Sequence, residues 1–190
     1  MRSRIPRVCA ALALALVLAG CGDRNLVVDV DVLSFLDPSV VAFSFGPVPA
    51  LPGGVYTGEL AVVQDAEINL VERPSDLASV ASVSLVFEAL ATDSTGSGAD
   101  TLRIYMSDPG TDPLTTPAVL TLPASLVAGQ QQTVHAEVEA DQRLATVFNG
   151  NRVRLSMTNA LRGPDSGAPL NGRVRISAIR AVVIANRKGL

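Results

Sequence analysis

The 190-residue chain is poor in the residues from which many catalytic and metal sites are built. It contains no tryptophan, two cysteines and a single histidine, His135. Zinc sites made of histidine and cysteine need more of these residues than the chain offers. A Ser-His-Asp triad would have to use His135, yet the Gly-x-Ser-x-Gly motif is absent, and so are P-loop and dinucleotide-binding fingerprints. The sequence therefore predicts a protein that has no cofactor and is not an enzyme.

Long apolar runs are also scarce, and the one that stands out lies near the N-terminus. Three arginines (Arg2, Arg4 and Arg7) precede an apolar stretch over residues 8–19. A membrane-spanning helix needs roughly 20 apolar residues, so this stretch is too short to cross a bilayer. A basic start, a short apolar centre and small residues at its end are typical of an export signal. We therefore predict a signal peptide over residues 1–20.

The end of this segment contains a motif of four residues, Leu18, Ala19, Gly20 and Cys21. They resemble the lipobox of bacterial lipoproteins. The resemblance implies acylation of the Cys21 thiol with chains such as palmitate, cleavage before Cys21 and acylation of the new amino terminus. It covers only the first 21 residues of the chain, and it implies anchoring of the protein to a membrane through lipid.

The cysteine count agrees with lipidation. Cys9 lies inside the predicted signal and would be lost on cleavage, which leaves Cys21 without a partner for an internal disulfide. A free exposed thiol is a liability in an oxidising compartment, and thioether linkage to lipid removes it. Residues 21–25 then form the lipidated N-terminus and a linker that reaches at most about 14 Å, so the domain is expected close to the lipid surface.

The residues after the cysteine bear on localisation in the cell envelope. Aspartate directly after the lipidated cysteine resembles an inner-membrane retention signal of proteobacterial lipoproteins. Here that position is Gly22, and Asp23 comes one residue later. This departure favours the outer membrane over the inner membrane.

Residues 26–190 have the pattern of one all-β domain. Apolar and polar residues alternate over segments such as residues 82–90, 134–139 and 152–155, and turns rich in Gly, Pro and Asp separate them. We predict an antiparallel β-sandwich, jelly-roll or immunoglobulin-like, with eight or nine strands and one or two short helices. Residues 75–80 are expected to form one helical turn, and residues 141–149 a short helix capped by Asp141. Residues 26–35 are expected to be the first strand.

Charge is distributed unevenly along the chain. Residues 21–141 contain 17 acidic residues and three arginines, whereas residues 142–190 contain one acid, eight arginines and one lysine. The charges alternate with apolar residues along the predicted strands, which favours cross-strand pairing of acidic and basic residues. A basic binding surface is the alternative. Export to the envelope argues against nucleic acid as a partner.

The last predicted strand raises a question of register. Its inward residues Val174, Ile176 and Ala178 are followed in phase by Arg180. Either a bulge near Ile179 shifts the register, or Arg180 is buried with an acidic partner. We favour the bulge.

Candidate binding residues are few. Asp93, Asp100, Asp108 and Asp112 lie in two loops and are weak candidates for a calcium site, although their spacing does not match an EF-hand. Tyr56 is a weak candidate for ligand binding, because glycan sites usually use aromatic platforms. His135 is expected to be a solvated strand residue.

These observations lead to three functional hypotheses. The first is a non-enzymatic, lipid-anchored domain that binds an envelope protein or another envelope component, or is structural. The second is a glycan- or calcium-binding module. The third is a hydrolase that uses two carboxylates, which requires a cleft with two close carboxyl groups, one of them with a raised pKa.

Overall fold

The computed structural model describes residues 25–69, 77–150 and 152–187, and these form an antiparallel β-sandwich, as predicted. Nine strands account for most of the described residues: β1 (Asn25–Asp31), β2 (Ala42–Val48), β3 (Tyr56–Asn69), β4 (Leu77–Thr95), β5 (Gly98–Ser107), β6 (Leu120–Leu126), β7 (Gln131–Asp141), β8 (Arg152–Arg162) and β9 (Leu170–Arg187). A short helix, α1 (Gln142–Phe148), follows β7. Two single 3-10 turns cover Val32–Phe35 and Pro113–Thr115.

The strands form two sheets. The five-stranded sheet has the order β1-β9-β4-β7, and β2 also pairs with β9. The two halves of β9 have different neighbours on one side, because β1 pairs with Arg180–Asn186 and β2 pairs with Leu170–Arg175. The four-stranded sheet has the order β3-β8-β5-β6. Sheet neighbours are therefore often far apart in sequence.

The core lies between the two sheets. Every second residue of the central strands is buried, as the strand period requires. The largest fully buried side chains come from both sheets and from α1: Phe87, Ile68, Leu85, Ile104, Met106, Leu144, Leu155, Met157, Leu161, Leu170, Ile176 and Ile179. Burying one such side chain stabilises the fold by about 1.5–3 kcal/mol, so this layer supplies the main driving force.

The predicted helix after β7 is present and has the predicted cap. The side chain of Asp141 accepts hydrogen bonds from the backbone N–H groups of Arg143 (2.6 Å) and Leu144 (3.3 Å). Leu144 and Phe148 lie on one face of the helix and are buried in the core. The cap satisfies N–H groups that have no partner within the helix itself.

The predicted bulge in the last strand is also present. Glu88 pairs with Ala178 and Ala89 pairs with Ile176, so Ser177 is an extra residue on β9. The buried phase then passes from Ile176 to Ile179, and Arg180 is exposed. The alternative of a buried Arg180 is wrong.

Two local predictions are wrong because tertiary pairing and local turns override the pattern. The first strand ends at Asp31, and Val32–Phe35 forms a 3-10 turn rather than the end of a strand. In the predicted helical turn over residues 75–80, the described part is already strand, since β4 begins at Leu77 and pairs with β9. The proposed cap, Ser75, lies outside the described residues.

Candidate functional site

Among the described residues, the outer face of the four-stranded sheet carries three arginine–carboxylate ion pairs. Alternation along β5 and β8 explains its composition: Ile104 and Met157 point inward and are fully buried. Their neighbours Arg103, Tyr105 and Thr158 consequently point to the opposite face. The Tyr105 side chain is nevertheless only 7% exposed, so neighbouring side chains on this face cover it.

A hydrogen-bonded group that we call the Glu59 cluster (Glu59, Arg103, Tyr105 and Thr158) crosses three strands of this face. One carboxylate oxygen of Glu59, Oε1, forms an ion pair with Arg103. The other, Oε2, accepts hydrogen bonds from the hydroxyl groups of Tyr105 (3.2 Å) and Thr158 (3.2 Å). The cluster therefore connects β3 with β5 across β8, with both carboxylate oxygens engaged.

A second charged group lies farther along β3. Asp65 has a positive φ of 51°, and its backbone N–H donates to Ser156 Oγ at 3.0 Å. Its side chain pairs with Arg154, and that hydrogen bond holds the pKa of the Asp65 carboxyl below its ordinary value. Glu67 pairs with Arg152 at 3.1 Å. The predicted pairing of acidic and basic strands is thus confirmed for β3 and β8.

These ion pairs do not match the arrangement that the hydrolase hypothesis requires. Glu59, Asp65 and Glu67 each have an arginine partner on the sheet surface. The hydrolase hypothesis needs two close carboxyl groups in a cleft, one with a raised pKa. The described carboxyl group with a clearly raised pKa is Asp100, which lies elsewhere.

Asp100 points into the core between the sheets. It is 4% exposed, and its Oδ1 atom has no hydrogen-bond partner among the described residues. Burial raises the pKa of the carboxyl to about 6, although a backbone hydrogen bond from Thr101 partly opposes this. The small pocket around it is apolar and is lined by residues of both sheets: Ala89, Ala91, Leu102, Leu122, Ala124, Val134 and Val174.

The structure does not bring the candidate calcium residues together. Asp100 lies near the start of β5 and Asp108 follows its end, which places them about 26 Å apart along the strand. Asp108 accepts from Gly110 N–H (3.1 Å) and Asp112 from Leu114 N–H (3.0 Å), so both hold turns. Asp93 lies in β4, opposite Gly172. Within the described residues, no three His, Cys, Asp or Glu side chains form a group that could hold a metal ion.

Tyr56 begins β3 and is 68% exposed. The guanidinium of Arg162, directly opposite on β8, lies 5.7 Å from the centre of its ring. Gly54 permits this approach of Arg162, because it has a φ of +70° and a Cβ there would lie 2.7 Å from Arg162 Nε. Tyr56 is thus an exposed aromatic side chain on a regular strand.

His135 lies on the exposed side of β7, as expected. Its Nδ1 atom is 3.4 Å from Glu88 Oε1 on the neighbouring strand, and about half of its side chain is exposed. Cys21 and the predicted signal peptide lie outside the described residues. No helix of the described residues is long and apolar enough to cross a membrane.

The Glu59 cluster was not predicted from the sequence. Alternation places Arg103 and Tyr105 on one face of a strand, and it does the same for Thr158. It does not reveal that β8 lies between β3 and β5, and that order brings the four side chains together. The sequence did hold one signal for the cluster, namely the polar residues at the outward positions of β5 and β8, two strands that are otherwise apolar.

Comparisons with known proteins show limited similarity. No protein-family model matches the chain, and no curated protein matches it. A structure of the infectious bursal disease virus Gx strain is 15% identical over 87% of this chain, with a TM-score of 0.40. This chain spans 38% of the length of that viral chain. The Tobacco streak virus coat protein is 11% identical over 90% of this chain and 92% of its own, with a TM-score of 0.24. At these TM-scores the similarities carry no argument about what this chain does.

Proposed function

We propose that the protein is a lipid-anchored lipoprotein of the bacterial cell envelope, whose β-sandwich domain is non-enzymatic and binds or supports another envelope component. The observation that carries the proposal is the motif ending at Cys21, preceded by a basic and apolar segment. The lipobox resemblance implies acylation of Cys21, and several acyl chains at one terminus give stable anchoring.

The position of the first strand supports this proposal. β1 begins at Asn25, only four residues after Cys21, and pairs along its whole length with β9. An anchor at Cys21 would consequently hold the sandwich next to the lipid surface. The position of Gly22 after the cysteine favours the outer membrane.

The partners and surroundings of the carboxylates support the non-enzymatic part of the proposal. Glu59, Asp65 and Glu67 are paired with arginines on the sheet surface. Asp100, whose pKa is raised, is enclosed among apolar side chains rather than placed in a cleft. The Glu59 cluster and the surface around it are better suited to contact with a partner.

The test compares two cysteine variants of the full-length protein in a bacterial host. Cys21→Ala should abolish acylation, measured by mass spectrometry of the N-terminal peptide, and release the domain from the membrane fraction. Cys9→Ala is the matched control, because Cys9 lies within the predicted signal, and it should remain acylated and membrane-bound. Membrane retention of a Cys21→Ala protein whose signal peptide has been removed, and which carries no acyl modification, would overturn the anchor proposal.

The partner is sought by chemical crosslinking of the membrane-bound protein, read by mass spectrometry. An envelope protein that is crosslinked to the wild type and lost with Cys21→Ala supports a binding role in the envelope. Its crosslinked residues would show whether the surface around Glu59 is the contact. Crosslinks that are the same with and without the anchor would argue against a role that depends on the membrane.

A glycan-binding module is a second candidate, and the exposed Tyr56 favours it. Its ring and the adjacent Arg162 guanidinium offer an apolar face beside hydrogen-bond donors. Binding on a glycan array that is lost with Tyr56→Ala, but kept with Tyr56→Phe, would favour this candidate. Binding that survives Tyr56→Ala would exclude this residue as the platform.

A further inference from the structure

The arginines on the outer faces of the two sheets have different surroundings. On the four-stranded sheet, Arg103, Arg152 and Arg154 each form an ion pair with a carboxylate. On the five-stranded sheet, Arg173 and Arg175 of β9 are exposed. Their guanidinium groups form neither an ion pair nor a hydrogen bond with any described residue. We call these two residues the arginine pair.

The register of the sheet explains why the arginine pair is not neutralised. Residues directly opposite each other on antiparallel strands lie on the same side of a sheet. The residues opposite the pair on β2 and β4 are uncharged, namely Ser44 and Thr92 for Arg173, and Ala42 and Leu90 for Arg175. The two arginines are two positions apart on β9, which places their Cα atoms about 6.6 Å apart. Two positive charges therefore lie side by side without a facing carboxylate.

The arginine pair lies far from the end of the sheet that the proposed anchor would hold. Asn25, four residues after Cys21, is opposite Asn186 of β9. Arg173 precedes Asn186 by 13 residues on the same strand, which corresponds to about 40 Å. An anchor at Cys21 would therefore bring the arginine pair to the lipid surface only if this face of the sheet lay flat on it.

The charges near the anchor end oppose such a flat orientation. That part of the same face carries acidic residues of the strands β1 and β7 together with one arginine of β9: Asp29, Asp31, Glu137, Glu139 and Arg180. On a surface of anionic headgroups, these carboxylates would approach charges of the same sign, which is unfavourable. The arginine pair is therefore better placed to contact an anionic partner away from the lipid.

We propose that the arginine pair is a docking site for the carboxylate-bearing peptide stems of the cell wall, an inference that rests on the envelope anchor of the proposed function. A guanidinium group binds a carboxylate through two parallel hydrogen bonds. Two such groups, about 6.6 Å apart on an open sheet face, can hold two carboxylates of an extended polymer. The hydroxyl groups of Ser44 and Thr92 flank Arg173 and are further donors.

The test measures cosedimentation of the detergent-solubilised, full-length protein with purified cell-wall sacculi. Arg173→Gln and Arg175→Gln should each lower the affinity about two- to fivefold, as expected for exposed charge pairs, and the double variant should lower it further. Arg180→Gln is the matched control, because it removes the same charge from the same strand at a position opposite Asp31. Equal losses for all three single variants would show an effect of net charge alone and would overturn the proposal.

The chemistry of the partner is tested on the sacculi themselves. Amidation of their carboxyl groups removes the negative charges and leaves the glycan strands in place. The wild type should then bind as weakly as the double variant binds untreated sacculi. Undiminished binding to amidated sacculi would contradict recognition of carboxylates.

A crosslinking experiment in cells identifies the occupant of this face without removing an arginine. A photoreactive amino acid replaces Ser44, which is directly opposite Arg173. After illumination, the protein should stay with the sacculi when they are boiled in detergent. The same amino acid in place of Ser125, exposed on the outer face of the other sheet, is the control and should not be retained. Crosslinks from position 44 to a lipid or to a protein alone would overturn the proposal.

The outcome can be separated from that of the anchor proposal, because cosedimentation in detergent does not require a membrane. Acylation of Cys21 is measured by mass spectrometry on the same protein. An acylated protein that does not bind sacculi would contradict the docking site and leave the anchor supported. Sacculi binding that depends on the arginine pair in an unacylated protein would contradict the anchor alone.

Discussion

Asp100 is the residue at which the pattern of the strand and the chemistry of the side chain conflict. It occupies an inward position of β5, in phase with Leu102, Ile104 and Met106, which are all buried. A carboxylate at such a position loses its hydration, and its Oδ1 atom gains no partner among the described residues in return. The protonated form is therefore favoured more strongly in the folded protein than in the unfolded chain, and the pKa of Asp100 rises to about 6.

The raised pKa fixes the sign of a pH effect on stability. Because the folded protein binds this proton more tightly than the unfolded chain, Asp100 contributes stability below about pH 4. This contribution is lost as the pH rises through about 6. The wild type should consequently lose part of its free energy of unfolding between pH 5 and pH 8.

Asp100→Asn should reduce this pH dependence. The amide cannot ionise, so we expect the free energy of unfolding at pH 8 to rise by about 1–3 kcal/mol relative to the wild type, with a smaller change at pH 5. Urea denaturation of residues 22–190 at both pH values measures this. Asp165→Asn, at an exposed site, is the control and should change little. Equal effects of Asp100→Asn at both pH values would contradict the prediction.

At the scale of single elements, the bulge of β9 joins two segments in which the buried residues alternate in opposite phases. Before it, Val174 and Ile176 point to the core; after it, Ile179, Ala181 and Val183 do so. Ser177 is the residue that has no counterpart on β4. Without an extra residue, the alternation that places Val174 and Ile176 in the core would place Arg180 there too. The bulge shifts the alternation by one residue, so Arg180 faces solvent.

Deletion of Ser177 should therefore be tolerated. The remaining residues would alternate strictly and keep the same apolar side chains in the core, so we expect a folded protein with a modest loss of stability. Deletion of Val182, where pairing with β4 is regular, would turn Val183 and Ala185 toward solvent and should prevent folding. Circular dichroism and thermal unfolding of the two variants give the comparison. A Ser177 deletion as damaging as that of Val182 would show that the bulge itself is required.

Elements with strong local signals could be predicted, and those set by pairing could not. Alternation identified the first part of β8 and the central part of β4, residues 82–90, and Asp141 marked the start of α1. The start of β4 at Leu77 depends on its pairing with β9, which the local sequence does not contain. The Glu59 cluster depends on the order of strands in the sheet, and neither period nor composition determines that order.

At the scale of the whole molecule, most pairings join distant parts of the chain. Asn25 pairs with Asn186, and Tyr56 pairs with Arg162. The chain loses conformational entropy when it closes long loops, and it does so before the strand pairings stabilise it. This slows the folding of β-sandwiches. Both sheets depend on these contacts, because β8 and β9 are central strands.

Refolding is therefore expected on a time scale of about milliseconds to seconds. Stopped-flow dilution of denatured residues 22–190 from urea, followed by the fluorescence of Tyr56 and Tyr105, measures the rate. Deletion of Ser177, which changes no long-range pairing, should leave the rate within about tenfold of that of the wild type. Folding in microseconds would contradict a rate limited by long-range pairing.

The antiparallel pairing of β1 with β9 has a mechanical consequence. Asn25 and Asn186 are directly opposite each other, so the start of β1 and the end of β9 lie at the same end of the sheet. A force that pulls these two ends apart would load the backbone hydrogen bonds between the strands one pair after another, as a zipper opens, rather than all at once in shear. If the domain is anchored through Cys21 as proposed, it would therefore resist little when the end of β9 is pulled away from the membrane, and β1 would peel off first.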